Sequence, residues 1–181
     1  MPTDIKTFKQ FTNNNVFVET GSYLGDGIQM AYDAGFEKII SIEISEEFCK
    51  NCSERFQNIR EVNIVMGDSA DILGDVIHDI NEPITFWLDG HYSGGDLPKG
   101  KYLSPLIQEL DAIGRHPVKS HTILIDDIWC WRDMDNMYHN DFNVDSLVKS
   151  ILEINPNYDI SFIDGVRPGK VLSKDILVAK I

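Results

Sequence analysis

Short apolar runs, each closed by a polar or glycine-rich stop, alternate along this chain with stretches of helical periodicity. Val16 to Glu19, Lys38 to Glu43, Asn63 to Met66, Ile84 to Asp89 and Thr122 to Asp126 are rich in Val, Ile, Leu, Phe and Trp. Runs of that length and composition read as buried strands. Between them lie predicted helices: residues 4–14 (Ile5, Phe8, Phe11), Gly27 to Ala34 closed by Gly35, and Glu46 to Phe56. Ser45 is placed to cap the third of these, with Glu46 and Glu47 in its first turn. A fourth helix runs through Ile72, Leu73, Val76 and Ile77, a fifth spans about Leu103 to Gly114, and a sixth Val144 to Ile154. Tyr158 to Ile163 and Asp175 to Lys180 are the last two strands.

Strands alternating with helices predict a parallel sheet covered on both faces. The last two strands are joined by a Gly/Pro turn over 164–173, with no room for a crossover helix, so they must pair antiparallel. The expectation is an α/β chain of one domain: a mostly parallel seven-stranded sheet with an antiparallel last strand and helices on both faces. No repeat, low-complexity tract or linker divides it.

The first strand runs into Glu19-Thr20-Gly21-Ser22-Tyr23-Leu24-Gly25-Asp26-Gly27, an E-x-G-x-x-x-G-x-G pattern that opens a helix. Glycines in such a loop admit positive φ and the close approach of a ligand, and the helix start turns its free N–H groups toward it. The spacing matches neither the dinucleotide fingerprint G-x-G-x-x-G nor the phosphate loop G-x-x-x-x-G-K-[ST]. An acidic residue two before the first glycine suits a cation, such as the amino group of an amino-acid moiety, rather than a pyrophosphate.

These residues resemble motif I of the class I S-adenosylmethionine (SAM) dependent methyltransferases, and the resemblance extends over roughly 14–180. It implies a Rossmann-like fold, with Glu43 at the end of strand two on the ribose hydroxyls and Ile44 beside it. It implies Asp68 and Ser69 of Gly67-Asp68-Ser69 at the adenine. Leu88-Asp89-Gly90 faces the methyl donor and the acceptor. The cofactor-binding set is then Glu19, Thr20, Gly21, Ser22, Tyr23, Gly25, Gly27, Glu43, Ile44, Asp68, Ser69 and Asp89.

The C-terminal ends of the strands, where ligands of such sheets bind, carry Glu19, Glu43, Asp68, Asp89 and the doublet Asp126-Asp127, with no basic member. Such a row suits an organic cation, a metal ion or both. Asp89-Gly90-His91 with Asp126-Asp127 is similar to the metal-dependent sugar O-methyltransferases of the macrocin and mycinamicin type. That likeness implies Asp89, Asp126 and Asp127 as ligands of a divalent cation, Mg²⁺ or Mn²⁺. The family's second Asp after strand four, its general base, is His91 here, and His is the commonest general base near neutral pH. Asp89 and His91 are the candidate catalytic residues.

Composition narrows the partners. The chain has 181 residues, 43% hydrophobic and 25% charged, with a net charge of −13 and no basic patch. Nucleic acid is therefore not an expected partner. No apolar run approaches the roughly 20 residues of a membrane span, and no secretory h-region opens the chain, so a cytoplasmic protein is expected. Cys49-Lys-Asn-Cys52 has redox or zinc spacing but lacks a second ligand pair and lies within a predicted helix; Cys130 stands alone.

Tyr92 to Lys101 has the composition of a mobile lid. Ile128 to His139, rich in Trp, Tyr and Met, reads either as a stacking platform for a sugar or as a surface for a partner or second copy. His78, His116 and His121 read as structural or exposed. Taken together, the expected activity is SAM-dependent methylation of a sugar hydroxyl on a rhamnose-like deoxysugar or glycan. A catechol-like small metabolite as acceptor, or a SAM-binding module without turnover, are the other readings.

Overall fold

The fold was obtained as a computed structural model that describes residues 3–92, 94–95, 97–132, 143–167 and 169–181. Seven strands form one sheet: β1 (Val16–Thr20), β2 (Lys38–Glu43), β3 (Val62–Met66), β4 (Ile84–Leu88), β5 (Thr122–Ile125), β6 (Asp159–Arg167) and β7 (Lys170–Lys180). Their order is β3-β2-β1-β4-β5-β7-β6. The first five are parallel, and β7 runs antiparallel to both β5 and β6. Two antiparallel steps leave β6 pointing the same way as β5. The expected sheet is therefore present, antiparallel hairpin included.

The helices are α1 (Ile5–Lys9), α2 (Asp26–Ala34), α3 (Glu46–Arg55), α4 (Ser69–Ile77), α5 (Leu106–Arg115), α6 (Trp129–Arg132) and α7 (Val144–Ile154). Strand residues point alternately to two cores. Val16, Val18, Ile40, Ile42, Phe86 and Ile125 pack against Leu73 and Ile77 of α4, Leu110 and Ile113 of α5, and Leu147 and Ile151 of α7. Phe17, Ile39, Trp87 and Leu124 pack on the other face against Phe8, Ile28, Ala31 and Cys52 from α1, α2 and α3. Both faces being covered explains why the strands read as continuous apolar runs. No helix among the described residues is long and apolar enough to cross a membrane.

Three boundaries differ from expectation. The leading helix is one short element, Ile5–Lys9, capped by Asp4, whose Oδ1 accepts from the Thr7 amide. Beyond it the chain is pinned to the sheet, with Thr85 Oγ1 donating to the Phe11 carbonyl and Asn14 Nδ2 donating to Thr85 Oγ1. Helix α5 starts at Leu106 rather than Leu103 because Pro105 disfavours helical backbone at Ser104. The β6–β7 hairpin continues past the expected turn to Arg167 and Lys170, with an irregularity between Ile163 and Gly165. Opposite that irregularity Lys174 has positive φ, and its amide donates to Asp164 Oδ1 at 2.9 Å.

Candidate active site

A cavity of about 670 Å³ opens at the C-terminal edge of the sheet, within the usual size range of ligand pockets. One end is walled by Gly21, Tyr23, Glu43, Ile44, Phe48, Gly67, Asp68 and Ser69, the other by Asp89, His91, Asp127, Trp129 and Arg167. Leu97, Pro98, Gly100 and Tyr102 of the segment between β4 and α5 form its flank.

The glycine loop is shaped by two left-handed glycines with different duties. Gly21 (φ +86) lies so close to β4 that a Cβ would fall 2.6 Å from the Asp89 carbonyl. Gly25 (φ +84) instead packs on α3, where a Cβ would fall 2.7 Å from Phe56. Gly27 is buried in the first turn of α2. Tyr23 also has positive φ, and its amide donates to Glu43 Oε2 at 2.8 Å while the Ser45 amide donates to Glu43 Oε1 at 2.8 Å. Each Glu43 oxygen keeps a further lone pair.

Several of the expected site residues lie behind the wall rather than on it. Glu19 is fully buried; Oε2 accepts from Ser41 Oγ at 2.5 Å, Ser41 is paired with Ser22 at 2.6 Å, and Oε1 has no partner. Burial pushes the Glu19 carboxyl up to about 8 against the pull of that hydrogen bond. Thr20 is buried as well, its Oγ1 accepting from the Asp89 amide at 3.3 Å.

Asp68 is doubly engaged. Oδ1 accepts from the Ala70 amide as the cap of α4, and Oδ2 accepts from the Lys101 amide at 3.1 Å. A Cβ on Gly100 would collide with that same Oδ2. The flanking segment is held further by the Tyr92 hydroxyl, which donates to the Gly95 carbonyl at 2.6 Å.

At the other end His91 stands between two carboxylates, Nδ1 3.4 Å from Asp89 Oδ1 and Nε2 3.3 Å from Asp127 Oδ2. Asp127 Oδ1 accepts from Trp129 Nε1 at 2.9 Å and Arg167 Nη2 at 3.0 Å. Burial opposes charge on the imidazole, but Asp127 and Asp89 outweigh it and raise its pKa above 6.5. Burial likewise pushes Asp127 up, and His91, Trp129 and Arg167 more than reverse it. Asp89, with weaker compensation, is raised to about 6, chiefly by burial. Asp127 has left-handed backbone (φ +54), strain of the kind that clusters at functional sites.

Asp89, His91 and Asp127 each offer a ligand atom within 4.8 Å of the others. Asp126 groups instead with Asp127 and Asp175 and does not line the cavity. Asp89 and Asp127 are thus brought together, while the third acidic ligand expected with them is turned toward a different neighbour.

Three residues of the site lie outside the sequence expectation. Arg167 supplies the positive charge that the acidic row lacks in sequence. Because β6 is parallel to β5, its C-terminal end also reaches this edge, so the strand-end rule would have found Arg167 had the strand been carried past Ile163. Asp175 arrives through β7, the strand that runs the other way. Glu109 of α5 is buried under the edge, its Oε1 accepting from Ser69 Oγ at 2.6 Å and lying 3.2 Å from where a Gly90 Cβ would stand. Burial raises it to about 7, with the Ser69 and Thr20 hydroxyls pulling back.

Of the aromatic stretch, Trp129 faces the cavity and Trp131 is buried in the core; residues 133–139 lie outside the described residues. Cys49, Cys52 and Cys130 form no disulfide. Cys52 is buried and donates to the Tyr23 carbonyl.

A sheet of order 3-2-1-4-5-7-6, a glycine loop after β1 and a cavity over the C-terminal edge define the Rossmann-like fold of the class I methyltransferases. Among solved structures the chain is similar to a Klebsiella pneumoniae protein assigned as an O-methyltransferase (TM-score 0.63, 13% identity, 98% of this chain and 77% of that one). It is also similar to a Streptococcus mutans protein assigned as a methyltransferase and solved with SAH (0.60, 12%, 98% and 95%). A third likeness is to the O-methyltransferase TomG of Streptomyces achromogenes, involved in tomaymycin synthesis and solved with SAM (0.59, 15%, 92% and 73%). No protein-family model matches the chain, and no curated protein matches it.

Proposed function

We propose that this protein is a SAM-dependent O-methyltransferase acting on a sugar hydroxyl with the help of a divalent cation. The observation that carries the reading is the single cavity wall that joins Gly21, Glu43 and Asp68 at one end to Asp89, His91 and Asp127 at the other. The first group fits the cofactor. Gly21 lines the wall where a Cβ would collide with the Asp89 carbonyl, and Glu43, also on the wall, keeps two free acceptor positions toward vicinal hydroxyls.

Bound there, SAM supplies an electrophilic methyl group on a sulfonium centre. A divalent cation would be held by Asp89 and Asp127 with His91 beside them, and it supplies Lewis acidity toward the acceptor hydroxyl. The protein's own part is positional and acid–base. Asp89 and Asp127 orient the acceptor edge of the cavity, and Trp129 offers an apolar face to a sugar ring. His91, two residues past Asp89, takes the hydroxyl proton at a ring nitrogen. Positioning of two reactants in one closed wall accounts for a large share of such rates.

The test is calorimetry followed by turnover. Losing a charge-assisted hydrogen bond costs about 1.5–3 kcal/mol, so Glu43→Ala should bind SAM roughly ten- to a hundredfold more weakly than wild type. Exhaustive chelation should abolish methyl transfer to deoxysugar acceptors while leaving SAM affinity within about threefold. Unchanged affinity in folded Glu43→Ala removes the cofactor assignment, and turnover that survives chelation removes the cation from the reaction. Binding without turnover on any acceptor would favour a SAM-binding module.

A further inference from the structure

Behind the cavity wall lies a second acidic group that the proposed methyl transfer does not use. Asp126 and Asp127 end β5, and Asp175 lies opposite them on antiparallel β7. The strands are tied there by the Ile128 amide donating to the Asp175 carbonyl at 2.8 Å. Asp126, Asp127 and Asp175 are 2%, 8% and 1% exposed. Each offers a carboxylate oxygen within 4.8 Å of the other two.

The partners of these oxygens are unevenly distributed. Asp126 Oδ1 accepts from the Asp127 amide, and Asp175 Oδ1 accepts from the Trp129 amide at 3.3 Å. Asp126 Oδ2 and Asp175 Oδ2 are buried and accept from nothing. Buried carboxylates without partners are costly, and three so close together repel. A cation resolves both problems at once. Oxygens up to about 5 Å apart can share one Ca²⁺, given metal–oxygen distances of 2.3–2.6 Å. With neither sulfur nor imidazole among the three, the donor set selects a hard ion over zinc or copper.

We propose that Asp126, Asp127 and Asp175 form a second, buried site for a hard divalent cation at the β5–β7 junction, sharing Asp127 with the cavity-facing group. Asp126 and Asp175 lie off the cavity wall, so this ion touches no acceptor; it clamps the hairpin that carries Arg167 to the end of β5. The site stands whether or not the methyltransferase reading does, because its occupancy is measured without SAM or acceptor.

The test uses the whole chain with Ca²⁺ or Mn²⁺ as the only additive. In wild type, cation at about a hundred times its Kd should raise Tm by roughly 5–10 °C, and Mn²⁺ paramagnetic resonance should count two bound ions at saturation. Asp175→Asn keeps the size of the side chain and the contact with the Trp129 amide. It should fold, lose roughly half of the Tm response and count one ion. Asp89→Asn should keep the half that Asp175→Asn loses and also count one. Circular dichroism in chelator checks that both variants fold. Absence of any cation-dependent Tm rise in wild type overturns the proposal. So does a response kept in Asp175→Asn but lost in Asp89→Asn, which would assign a single ion to the cavity group. Complete loss in both variants would mean one shared ion and overturns a separate site equally.

Discussion

The two ends of the parallel strands solve the same problem in opposite ways. At the N-terminal edge the Ile84 amide donates to His121 Nδ1 at 3.0 Å, His121 Nε2 lies 3.1 Å from His116 Nδ1, and His116 Nε2 lies 3.2 Å from the Ile77 carbonyl. Because His121 Nδ1 must accept, its proton sits on Nε2. That proton goes to His116 Nδ1, and His116 donates from its own Nε2. The chain of donors closes on the Ile77 carbonyl, and the Tyr158 hydroxyl is buried without a partner among the described residues. At the C-terminal edge three buried carboxylate oxygens, on Glu19, Asp126 and Asp175, have none. One edge is largely satisfied by the protein's own groups, and the other keeps buried acceptors open among the described residues. The difference separates the end that holds the fold from the end that binds.

The largest effect that would break this contrast is catalytic. His91→Ala should lower kcat by about 10²–10⁴, the usual share of general-base catalysis, with SAM affinity nearly unchanged. Steady-state kinetics beside calorimetry reads both. A kcat near that of wild type would return His91 to packing and leave the proton to water.

Stability against pH sharpens the contrast next. Burial, with the charges of His116 and Lys119, pushes His121 down to about 4 from 6.5. The unfolded chain therefore binds the extra proton between those values, and stability falls as pH drops through that window, by up to roughly 3 kcal/mol. The other edge has the opposite sign. Glu19, Glu109 and Asp89, raised by burial to about 8, 7 and 6, bind protons more tightly in the fold. Their contribution is whole below the ordinary carboxylate range and is lost as pH rises through 6–8. The three carboxyls outweigh His121 from the ordinary carboxylate range upward, so denaturant titrations from pH 4 to 9 should show stability falling towards about pH 8 and then levelling. His121→Asn, whose Oδ1 can replace Nδ1 as acceptor, should steepen the fall below about 6.5, and Glu19→Gln should make it shallower up to about 8. Slopes that ignore these substitutions would show that other groups own them.

The smallest effect concerns Glu109. Glu109→Gln keeps an acceptor for Ser69 and cannot ionise, so its Tm should match wild type near pH 4 and exceed it by several degrees at pH 8, most of the gain present by about pH 7. SAM affinity should stay within about threefold. A large loss of affinity would mean that the carboxylate charge, and not its hydrogen bonds, shapes the cofactor end.

Strand count, direction and the glycine loop were legible because they rest on local signals: apolar runs closed by glycine, and a hairpin too short for a crossover. What escaped is what topology supplies. Arg167 and Asp175 reach the site on strands whose direction relative to the edge is set only once β7 inserts between β5 and β6. Glu109 sits on an amphipathic helix where an acidic residue reads as solvent-facing until the helix is docked. The pattern E-x-G-x-x-x-G-x-G marked a loop that reaches the cavity, yet the structure divides its members, with Gly21 on the cavity wall and Gly25 serving contact with Phe56. His91 was legible by its distance from Asp89, and its bridging of Asp89 and Asp127 was not.

The Lys101 amide on Asp68 carries a kinetic consequence. A ligand that takes Asp68 Oδ2 from the side occupied by the Lys101 amide must first turn out a backbone N–H of this same chain, so arrival there is an exchange rather than an addition. Apparent affinity is then reduced by the fraction of molecules in which the segment is seated. Association runs slower than encounter whenever release of the segment is the slower event, and departure is hastened because the returning amide competes for the same oxygen. Residence time would answer to the loop's sequence, at positions that touch no ligand.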